Sequence, residues 1–455
     1  MNDFKDKKIA ILGLGAEGDS LVRYLFQSGA SVTIFDQNKE SDLVSQFVIR
    51  AREGGCQIIS QDLDSIDLNV FDIVFRSPGV RLSTISIQNA MKMGVKVSSA
   101  TKLFFEKCPA TIIGVTGTKG KGTTSTLIYE MLKKGGKNAC IGGNIGTPPL
   151  DFLDSLHPES VVVLELSSFQ LQDLEVSPHI GVLLMITSEH MDYHESIEEY
   201  VDAKRNLLRF QDTEDFAIVN HDYPASNESD IYTSGRVYKV SREQVVDQGC
   251  YVYENAIWLK MGEKAERIVD VKDVALPGRH NLENVCAAIV TAACAGLDMK
   301  AIIPVIRSFT GLPYRLELIR TVHGVKYYND SFSTTPETAI AAIEAFSEPE
   351  ILILGGSSKN SDFTELGKVI RESKNVKAIV GIGEEWVQIK NSIGVVPDHI
   401  KIVEGTKSMS ESVAKCSEIA ELGDVVLLSP ACASFGMFKN YKDRGNQFKE
   451  AIQNL

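Results

Sequence analysis

The most informative segment for the fold of this chain is Ile112-Ile113-Gly114-Val115-Thr116-Gly117-Thr118-Lys119-Gly120-Lys121-Gly122-Thr123-Thr124. Its apolar start predicts a buried β-strand, and the residues after it predict a helix through Leu132. The glycines between them let the backbone curl so that its amides point inward, and Lys121 supplies a compact positive charge for the β- and γ-phosphates of a nucleotide. The stretch therefore predicts a phosphate-binding loop between a strand and a helix of an α/β domain.

The loop differs by one residue in its spacing from the pattern G-x-x-x-x-G-K-[ST]. Gly122 stands where a hydroxyl side chain usually follows the lysine, so Thr123 becomes the candidate ligand for Mg²⁺. The predicted ATP-binding residues of this region are Gly117, Thr118, Lys119, Gly120, Lys121, Gly122, Thr123 and Thr124.

A second glycine-rich turn, Gly13-Leu14-Gly15-Ala16-Glu17-Gly18, follows an apolar strand near the N-terminus and opens a helix. Asp36 ends the next predicted strand. In this context the backbone amides of the turn approach a phosphate, and the aspartate accepts a hydrogen bond from a hydroxyl or an imide. A nicotinamide dehydrogenase and a tight turn without any ligand both stay open at this point.

Apolar strand-like runs alternate with amphipathic helical stretches along nearly the whole chain, which predicts α/β domains with mostly parallel sheets. The length of 455 residues suggests about three domains. We place a Rossmann-like domain at 1–107, a central P-loop domain at 108–311 and a second Rossmann-like domain at 312–455. Between Asp222 and Lys272, short alternating stretches predict an antiparallel addition to the central sheet.

The composition limits the class of partner. A formal net charge of −13 argues against a general nucleic-acid binder. The sequence has no apolar run of the ~18 residues that a membrane span needs, and its charged start differs from a signal peptide. The eight cysteines include no C-x-x-C pair, which favours reduced thiols over a disulfide framework or a metal cluster. We therefore expect a cytoplasmic protein that binds neither nucleic acid nor membrane. A monomer that binds small molecules is a separate expectation, which the composition does not decide.

Four further motifs follow the phosphate loop in chain order. They are Leu164-Glu165-Leu166-Ser167-Ser168-Phe169-Gln170, Ser188-Glu189-His190-Met191-Asp192, Gly278-Arg279-His280-Asn281-Leu282-Glu283-Asn284 and Leu428-Ser429-Pro430-Ala431-Cys432-Ala433-Ser434-Phe435. Together with the loop, they resemble the motifs of the Mur ligase family, which builds the peptide of bacterial cell-wall precursors. The resemblance covers all three predicted domains. The Ser77-Pro78-Gly79 turn and the C-terminal run, continued by Phe438–Tyr441 and Arg444-Gly445, are similar to the member that adds D-glutamate to UDP-N-acetylmuramoyl-L-alanine.

The resemblance implies an ATP-dependent ligase that forms an amide bond. The γ-phosphoryl group of ATP would pass to the L-alanyl carboxylate, and the amine of glutamate would then displace phosphate from the acyl phosphate. It also implies four catalytic residues, Lys121, Glu165, His190 and Lys204. Thr123 and Glu165 would hold one Mg²⁺ ion, and His190 with a carbamylated Lys204 would hold a second. Without the resemblance, Lys204 would be read as a solvated helix lysine and His190 as a structural histidine.

The remaining site residues are likewise implied by the resemblance. The UDP-linked substrate would contact Gly15, Ala16, Asp36, Ser77, Gly79, Asn144, Gln170 and His190. Of these, Asp36 would accept a hydrogen bond from the uracil ring. Beyond the loop, ATP would contact Asn281, Asn284, Arg315 and Asp330. Glutamate would contact Lys359, Ser434 and Tyr441.

Three other hypotheses stay open. Phe332 follows Asn329-Asp330-Ser331, where the family member usually has a lysine, so a variant ligase that adds L-glutamate is an alternative. A nicotinamide-dependent oxidoreductase would explain the first glycine-rich turn but gives no role to the phosphate loop. A nucleotide-sensing protein without catalysis would bind ATP and release no phosphate when the substrates are supplied.

Overall fold

The computed structural model describes residues 4–26, 28–187, 193–358 and 361–455. The described residues form three mostly parallel sheets with helices between the strands. The predicted α/β class is therefore confirmed. Two compact units contain these sheets: one comprises Met1–Val269 and Glu283–Val305, and the other comprises Asp270–Leu282 and Ile306–Leu455.

The first sheet has five strands in the order β3-β2-β1-β4-β5, and all of its pairs are parallel. Its strands are β1 (Lys8–Leu12), β2 (Ser31–Asp36), β3 (Gln57–Ser60), β4 (Ile73–Arg76) and β5 (Lys96–Ser98). Its helices are α1 (Ala16–Leu25), α2 (Ser45–Glu53), α3 (Ile85–Lys92) and α4 (Ala100–Lys107). Because β2 and β4 lie on opposite sides of β1, the strand order reverses at β1, and this is where doubly wound sheets open a ligand crevice. The first glycine-rich turn lies at this point, between β1 and α1.

The second sheet has nine strands in the order β14-β13-β12-β11-β10-β9-β6-β8-β7. They are β6 (Thr111–Thr116), β7 (Ala139–Gly143), β8 (Val161–Glu165), β9 (Ile180–Leu183), β10 (Phe216–Asn220), β11 (Arg236–Ser241), β12 (Gly249–Tyr253), β13 (Ala256–Lys260) and β14 (Ala265–Asp270). Neighbours pair in parallel from β7 to β12, and β12 pairs with β13 in antiparallel orientation. The predicted antiparallel addition is therefore confirmed at that pair.

The helices associated with this sheet begin with α5, which follows the phosphate loop. They are α5 (Lys121–Lys134), α6 (Ser168–Leu171), α7 (Ile197–Arg209), α8 (Pro224–Asn227), α9 (Asn281–Cys294) and α10 (Met299–Ile306). Strand β6 lies between β8 and β9, so the carboxyl ends of three buried parallel strands meet beside the loop. This arrangement gathers side chains that are distant in the sequence.

The third sheet has six strands in the order β15-β16-β20-β17-β18-β19. They are β15 (Glu317–Val322), β16 (Val325–Asn329), β17 (Glu350–Gly355), β18 (Val376–Ile382), β19 (Lys401–Val403) and β20 (Val425–Leu428). Its helices are α11 (Pro336–Ile343), α12 (Thr364–Glu372), α13 (Trp386–Ile393), α14 (Met409–Ile419) and α15 (Tyr441–Gln453). The β15–β16 hairpin is antiparallel, and the other pairs are parallel. Strand β17 is buried along its whole length, which explains its uninterrupted apolar run Ile351–Leu354.

The limits predicted for the three domains stay a prediction. Lys107 ends α4, and residue 311 lies between α10 and β15, so both limits fall between elements of different sheets. Within the described ranges, no helix combines the length and hydropathy that a bilayer span requires.

Candidate active site

The phosphate loop has a backbone that only glycine adopts easily at two positions. Gly117 has φ +158° and Gly120 has φ +85°. A Cβ atom on Gly120 would collide with Oδ1 of Asn284, and one on Gly117 would approach Cβ of Leu184 to 2.8 Å. The loop is therefore tightly curled against its surroundings, as a cradle for phosphate requires.

Thr118 anchors this loop to the neighbouring strand end. Its backbone N–H donates to the carbonyl of Met185 at 2.6 Å, and its hydroxyl lies 2.9 Å from the hydroxyl of Tyr200. The same hydroxyl accepts from the backbone N–H of Thr187 at 3.0 Å. Lys119 is exposed at the loop tip, and Gly122 is buried in the first turn of α5. The loop conformation is thus fixed on the side that faces the sheet.

Lys121 folds back over the loop that it ends. Its Nζ donates to the carbonyl oxygens of Gly117 at 2.9 Å and Thr118 at 3.1 Å. Thr123, two residues further along α5, is half-buried, and the hydroxyl of Thr124 donates to Oδ1 of Asn284 at 3.3 Å. The ammonium of Lys121 therefore lies against the loop, where the phosphates of ATP are predicted to bind.

Glu165 ends β8, directly beside β6. Its side chain is 3% exposed, and Oε1 accepts from Nδ2 of Asn144 at 2.9 Å. Oε2 is buried and has no hydrogen-bond partner among the described residues. A buried carboxylate oxygen without a partner is costly unless a cation balances it, and a hard carboxylate oxygen suits Mg²⁺. The donor chemistry at this position therefore fits the implied metal ion.

Lys204 lies on α7 and is 1% exposed, so its interpretation as a solvated helix lysine is wrong. Its Nζ donates to the carbonyl of Gly117 at 3.0 Å and to the hydroxyl of Thr116 at 3.3 Å, and it lies 4.6 Å from the ring centroid of Tyr200. The structure thus brings Lys204 and Lys121 to the same carbonyl oxygen of the loop. His190, the predicted partner of Lys204, lies outside the described residues.

The predicted UDP-substrate residues of the first sheet lie at the reversal of its strand order. Oδ2 of Asp36 accepts from the backbone N–H of Leu14 at 2.9 Å, and Oδ1 accepts from that of Asn38 at 2.9 Å. The hydroxyl of Ser77 donates to the carbonyl of Gly13 at 2.9 Å, which joins the turns after β1 and β4. The Cα positions of Gly15 and Gly79 face open space, since an added Cβ meets no atom within 4 Å. Ala16 begins α1 at the same edge.

Gln170 links this turn to the central sheet. Its Oε1 accepts from the backbone N–H of Ser167 at 2.9 Å, and its Nε2 donates to Oε1 of Glu17 at 2.7 Å. These two contacts fix which end of the carboxamide points to each partner. Asn144 lies elsewhere on the same sheet, against Glu165. Gln170 and Asn144, two predicted contacts of the UDP-linked substrate, thus lie beside the glycine-rich turn and beside Glu165, respectively.

Arg76 is a residue that the sequence reasoning missed. It ends β4 immediately before the Ser77-Pro78-Gly79 turn and is 1% exposed. Its guanidinium donates to the carbonyls of Val80 at 2.8 Å and Phe169 at 3.0 Å, and to Oδ1 of Asp173 at 2.9 Å. The hydroxyl of Tyr193 donates to the carbonyl of Pro78 at 3.0 Å. These hydrogen bonds hold the Ser77-Pro78-Gly79 turn in place. The residues next to Arg76 in the sequence give no indication of them.

Asn284 and Asn281 lie in different units. Asn284 contacts Thr124 within the first unit, whereas Nδ2 of Asn281 donates to the carbonyl of Pro277 at 2.6 Å within the second. Both asparagines are buried.

Asp330 is the acidic residue among those predicted for the second unit, and it is buried. It accepts from the backbone N–H of Leu316 at 3.1 Å, from the hydroxyl of Ser429 at 2.8 Å and from that of Ser333. Burial raises the pKa of Asp330 to about 6, and the hydrogen bonds and the nearby charge of Arg315 oppose that rise. Asp330 directly follows β16, and protein donors meet both of its carboxylate oxygens.

The aromatic ring of Phe332 occupies the position of the usual lysine. The guanidinium carbon of Arg315 lies 3.9 Å from its ring centroid, and the ring of Tyr441 meets it edge-on at 5.0 Å. A predicted ATP residue and a predicted glutamate residue are therefore joined through Phe332. Ser434 is buried, and Lys359 lies outside the described residues.

Three domain families match the chain. They are the MurD-like N-terminal domain of Mur ligases at residues 7–99, the Mur ligase middle domain at 115–292 and the Mur ligase glutamate ligase domain at 314–432. The chain is 39% identical to the UDP-N-acetylmuramoylalanine–D-glutamate ligase of Acetivibrio thermocellus over 466 residues, covering 100% of this chain and 99% of that protein.

Solved structures show a similar fold. A UDP-N-acetylmuramoylalanyl-D-glutamyl-2,6-diaminopimelate–D-alanyl-D-alanyl ligase from Acinetobacter baumannii matches with a TM-score of 0.61 and 16% identity, over 98% of this chain and 93% of that one. A UDP-N-acetylmuramate-alanine ligase from Thermotoga maritima matches with a TM-score of 0.57 and 16% identity, over 98% and 99%. With the three domain matches and the full-length relative, the chain belongs to the Mur ligase family.

Proposed function

We propose that this protein is an ATP-dependent ligase that joins D-glutamate to UDP-N-acetylmuramoyl-L-alanine through an amide bond in peptidoglycan precursor synthesis. The full-length relatives at 35–39% identity that carry this name support the substrate assignment. The observation that carries the chemistry is the pairing of a curled phosphate loop with a buried carboxylate, Glu165, and a buried lysine, Lys204.

The reaction has two steps. An oxygen of the L-alanyl carboxylate attacks the γ-phosphorus of ATP, and the bond to the β,γ-bridging oxygen breaks to release ADP. The neutral amine of glutamate then attacks the carbonyl carbon of the acyl phosphate. The tetrahedral intermediate loses a proton from nitrogen, and its carbon–oxygen bond to phosphate breaks. No protein atom forms a covalent bond, so the chain's work is to position groups and to neutralise charge.

Lys121 and the backbone amides of Gly117–Gly120 bind the β- and γ-phosphates in this proposal. Thr123 and Glu165 would hold one Mg²⁺ ion, and His190 with a carbamylated Lys204 would hold a second. Such ions neutralise negative charge that develops on the transferred phosphoryl group. Asn144 holds the Glu165 carboxylate in place through its amide.

The remaining site residues bind the three substrates in this proposal. Asp36, Gly15, Ala16, Ser77, Gly79 and Gln170 bind the UDP-linked substrate, Asn281, Asn284, Arg315 and Asp330 bind ATP, and Lys359, Ser434 and Tyr441 bind glutamate. The chain acts as a cytoplasmic monomer with domains at 1–107, 108–311 and 312–455. Its product enters the cell wall, so it contributes to cell shape and cell division.

The reaction is tested by measuring phosphate release from ATP with UDP-N-acetylmuramoyl-L-alanine and either D- or L-glutamate. We expect release that requires all three substrates and that is faster with D-glutamate. Faster release with L-glutamate would favour the variant ligase, which the Arg315–Phe332 contact in the glutamate region keeps as a second candidate. ATP binding without release under every condition would contradict a ligase and favour a nucleotide sensor.

Carbamylation of Lys204 is tested separately. Its Nζ is buried beside the loop, where a carbamate would convert a cation into a carboxylate-like metal ligand. We expect protein equilibrated with ¹³C-bicarbonate to show one carbamate resonance, and Lys204→Arg to remove it. Lys133→Arg, on the exposed side of α5, should keep the resonance. A resonance that persists in Lys204→Arg would assign the carbamate to another residue.

A further inference from the structure

Glu17 is an acid inside the turn to which the proposed function assigns the pyrophosphate of the substrate. It occupies the first turn of α1, two residues after Gly15, and Gly15 caps the helix without a side-chain hydrogen bond. The amides of such a helix start attract anions. An ionised acidic side chain at this helix start would repel a bound phosphate and would compete with it for the backbone amides. Whether Glu17 is ionised therefore affects how tightly a phosphate group binds here.

The carboxyl group of Glu17 is only half satisfied. Oε1 accepts from Nε2 of Gln170 at 2.7 Å. Oε2 is withdrawn from solvent and has no hydrogen-bond partner among the described residues. A buried polar atom without a partner costs free energy, and a hydrogen-bonding group that arrives with a ligand would remove that cost. Gln170 is itself a proposed contact of the substrate, so the unpaired oxygen lies next to the place where that substrate is expected.

The charged groups around Glu17 do not hold it fully ionised. Burial raises the pKa of Glu17 to about 7, and the hydrogen bond from Gln170 and the charge of Arg76 on β4 oppose the rise. Arg76 forms an ion pair with Asp173 at 2.9 Å, which neutralises much of its charge. Asp173 also forms an ion pair with Nζ of Lys102 at 3.4 Å. On α1 itself, Asp19 is paired with Arg23 and Arg50. Little positive charge therefore remains for the Glu17 carboxylate.

We propose that Glu17 takes up one proton when the UDP-linked substrate binds, and that its protonated Oε2 then donates a hydrogen bond to the pyrophosphate. This inference rests on the proposed function, which places the pyrophosphate at this turn. The proton comes from solvent and stays on the carboxyl group, and no bond of the substrate changes. A doubly negative pyrophosphate beside an ionised, buried carboxylate would be repelled, whereas a neutral acid supplies the missing donor.

Calorimetry tests the proposal with the full chain and UDP-N-acetylmuramoyl-L-alanine, without ATP, in buffers of different ionisation enthalpy. The pyrophosphate of this substrate is esterified at both ends, so it does not itself titrate near neutral pH. We expect an uptake of about one proton per substrate at about pH 8 and almost none at about pH 6. The dissociation constant should rise about tenfold per pH unit above about pH 7.

Glu17→Gln keeps the shape of the side chain and places an N–H donor there at every pH. The variant should therefore bind the substrate without proton uptake, and its dissociation constant should not change with pH over this range. Glu283→Gln is the matched control, because burial raises the pKa of Glu283 to about 7 as well. It should keep the proton uptake of the natural chain. Uptake that persists in Glu17→Gln, or binding to the natural chain without uptake, would overturn the role of Glu17 and leave the UDP site intact. Absence of any binding to the natural chain would instead contradict the proposed function.

Discussion

Lys121→Ala should lower the rate of phosphate release by at least about 10²–10³-fold at saturating substrates. Nζ of Lys121 lies across the carbonyls of Gly117 and Thr118, so its charge stands at the centre of the curl. Removing it takes away a protein cation that would neutralise the negative charge of the β- and γ-phosphates while the phosphoryl group transfers. The measurement is phosphate release with ATP, UDP-N-acetylmuramoyl-L-alanine and D-glutamate.

Lys133→Ala is the control for this variant, because it removes a cation from the same helix at an exposed position. It should retain the activity of the natural chain. The melting temperature of Lys121→Ala should remain close to that of the natural chain, since the Lys121 side chain is only half-buried. A Lys121→Ala enzyme with nearly full activity would argue strongly that the phosphates bind elsewhere.

Arg444→Met should reduce the free energy of unfolding of the second unit by about 3–5 kcal/mol. Arg444 is fully buried. It donates to the carbonyl of Ser331 at 2.9 Å, to that of Cys432 at 3.1 Å and to that of Ala433 at 3.2 Å. Methionine fills much of the volume but leaves these acceptors buried without donors. Desolvation lowers the pKa of Arg444 to about 10, so the guanidinium stays charged near neutral pH.

The same change should weaken glutamate binding. Nε of Arg444 donates to the hydroxyl of Ser331 at 3.0 Å, and that hydroxyl donates to the carbonyl of Tyr441 at 2.8 Å. Ala433 directly precedes Ser434, so two of the three proposed glutamate residues, Ser434 and Tyr441, depend on this arginine for their backbone position. We expect a higher KM for D-glutamate in any folded Arg444→Met protein.

Urea unfolding followed by circular dichroism measures the stability effect. Lys442→Met, an exposed cation on the same helix, should change the unfolding free energy by less than about 0.5 kcal/mol. An Arg444→Met protein as stable as Lys442→Met would show that the carbonyls find other donors, and that the guanidinium does not hold this region together.

The phosphate loop could be predicted because its conformation is a local property. Gly117 and Gly120 have positive φ angles, which glycine adopts easily and other residues adopt only with strain. The glycines in the sequence therefore predict the curled conformation of the loop. The apolar strand before it and the helix after it follow from short-range periodicity in the same way. The first glycine-rich turn is predictable for the same reason, and Gly13 has φ +91°.

The setting of the site residues could not be predicted in this way. Lys204 belongs to an amphipathic helix, and its burial depends on how α7 packs against the end of β6. The unpaired oxygen of Glu165 depends on the alignment of β8 with β6, which pairs Val115 with Glu165. Arg76 precedes a recognisable turn, yet its partners Phe169 and Asp173 lie far along the chain.

The class of fold, the two glycine-rich turns and the resemblance to the family could be predicted from short stretches of residue types. Which charges are buried, and which groups they contact, depends on tertiary packing. The physical reason is that the cost of burying Lys204, Glu165 or Glu17 is set by the segments that pack around each group. Those segments are distant in the chain, so no local pattern contains them.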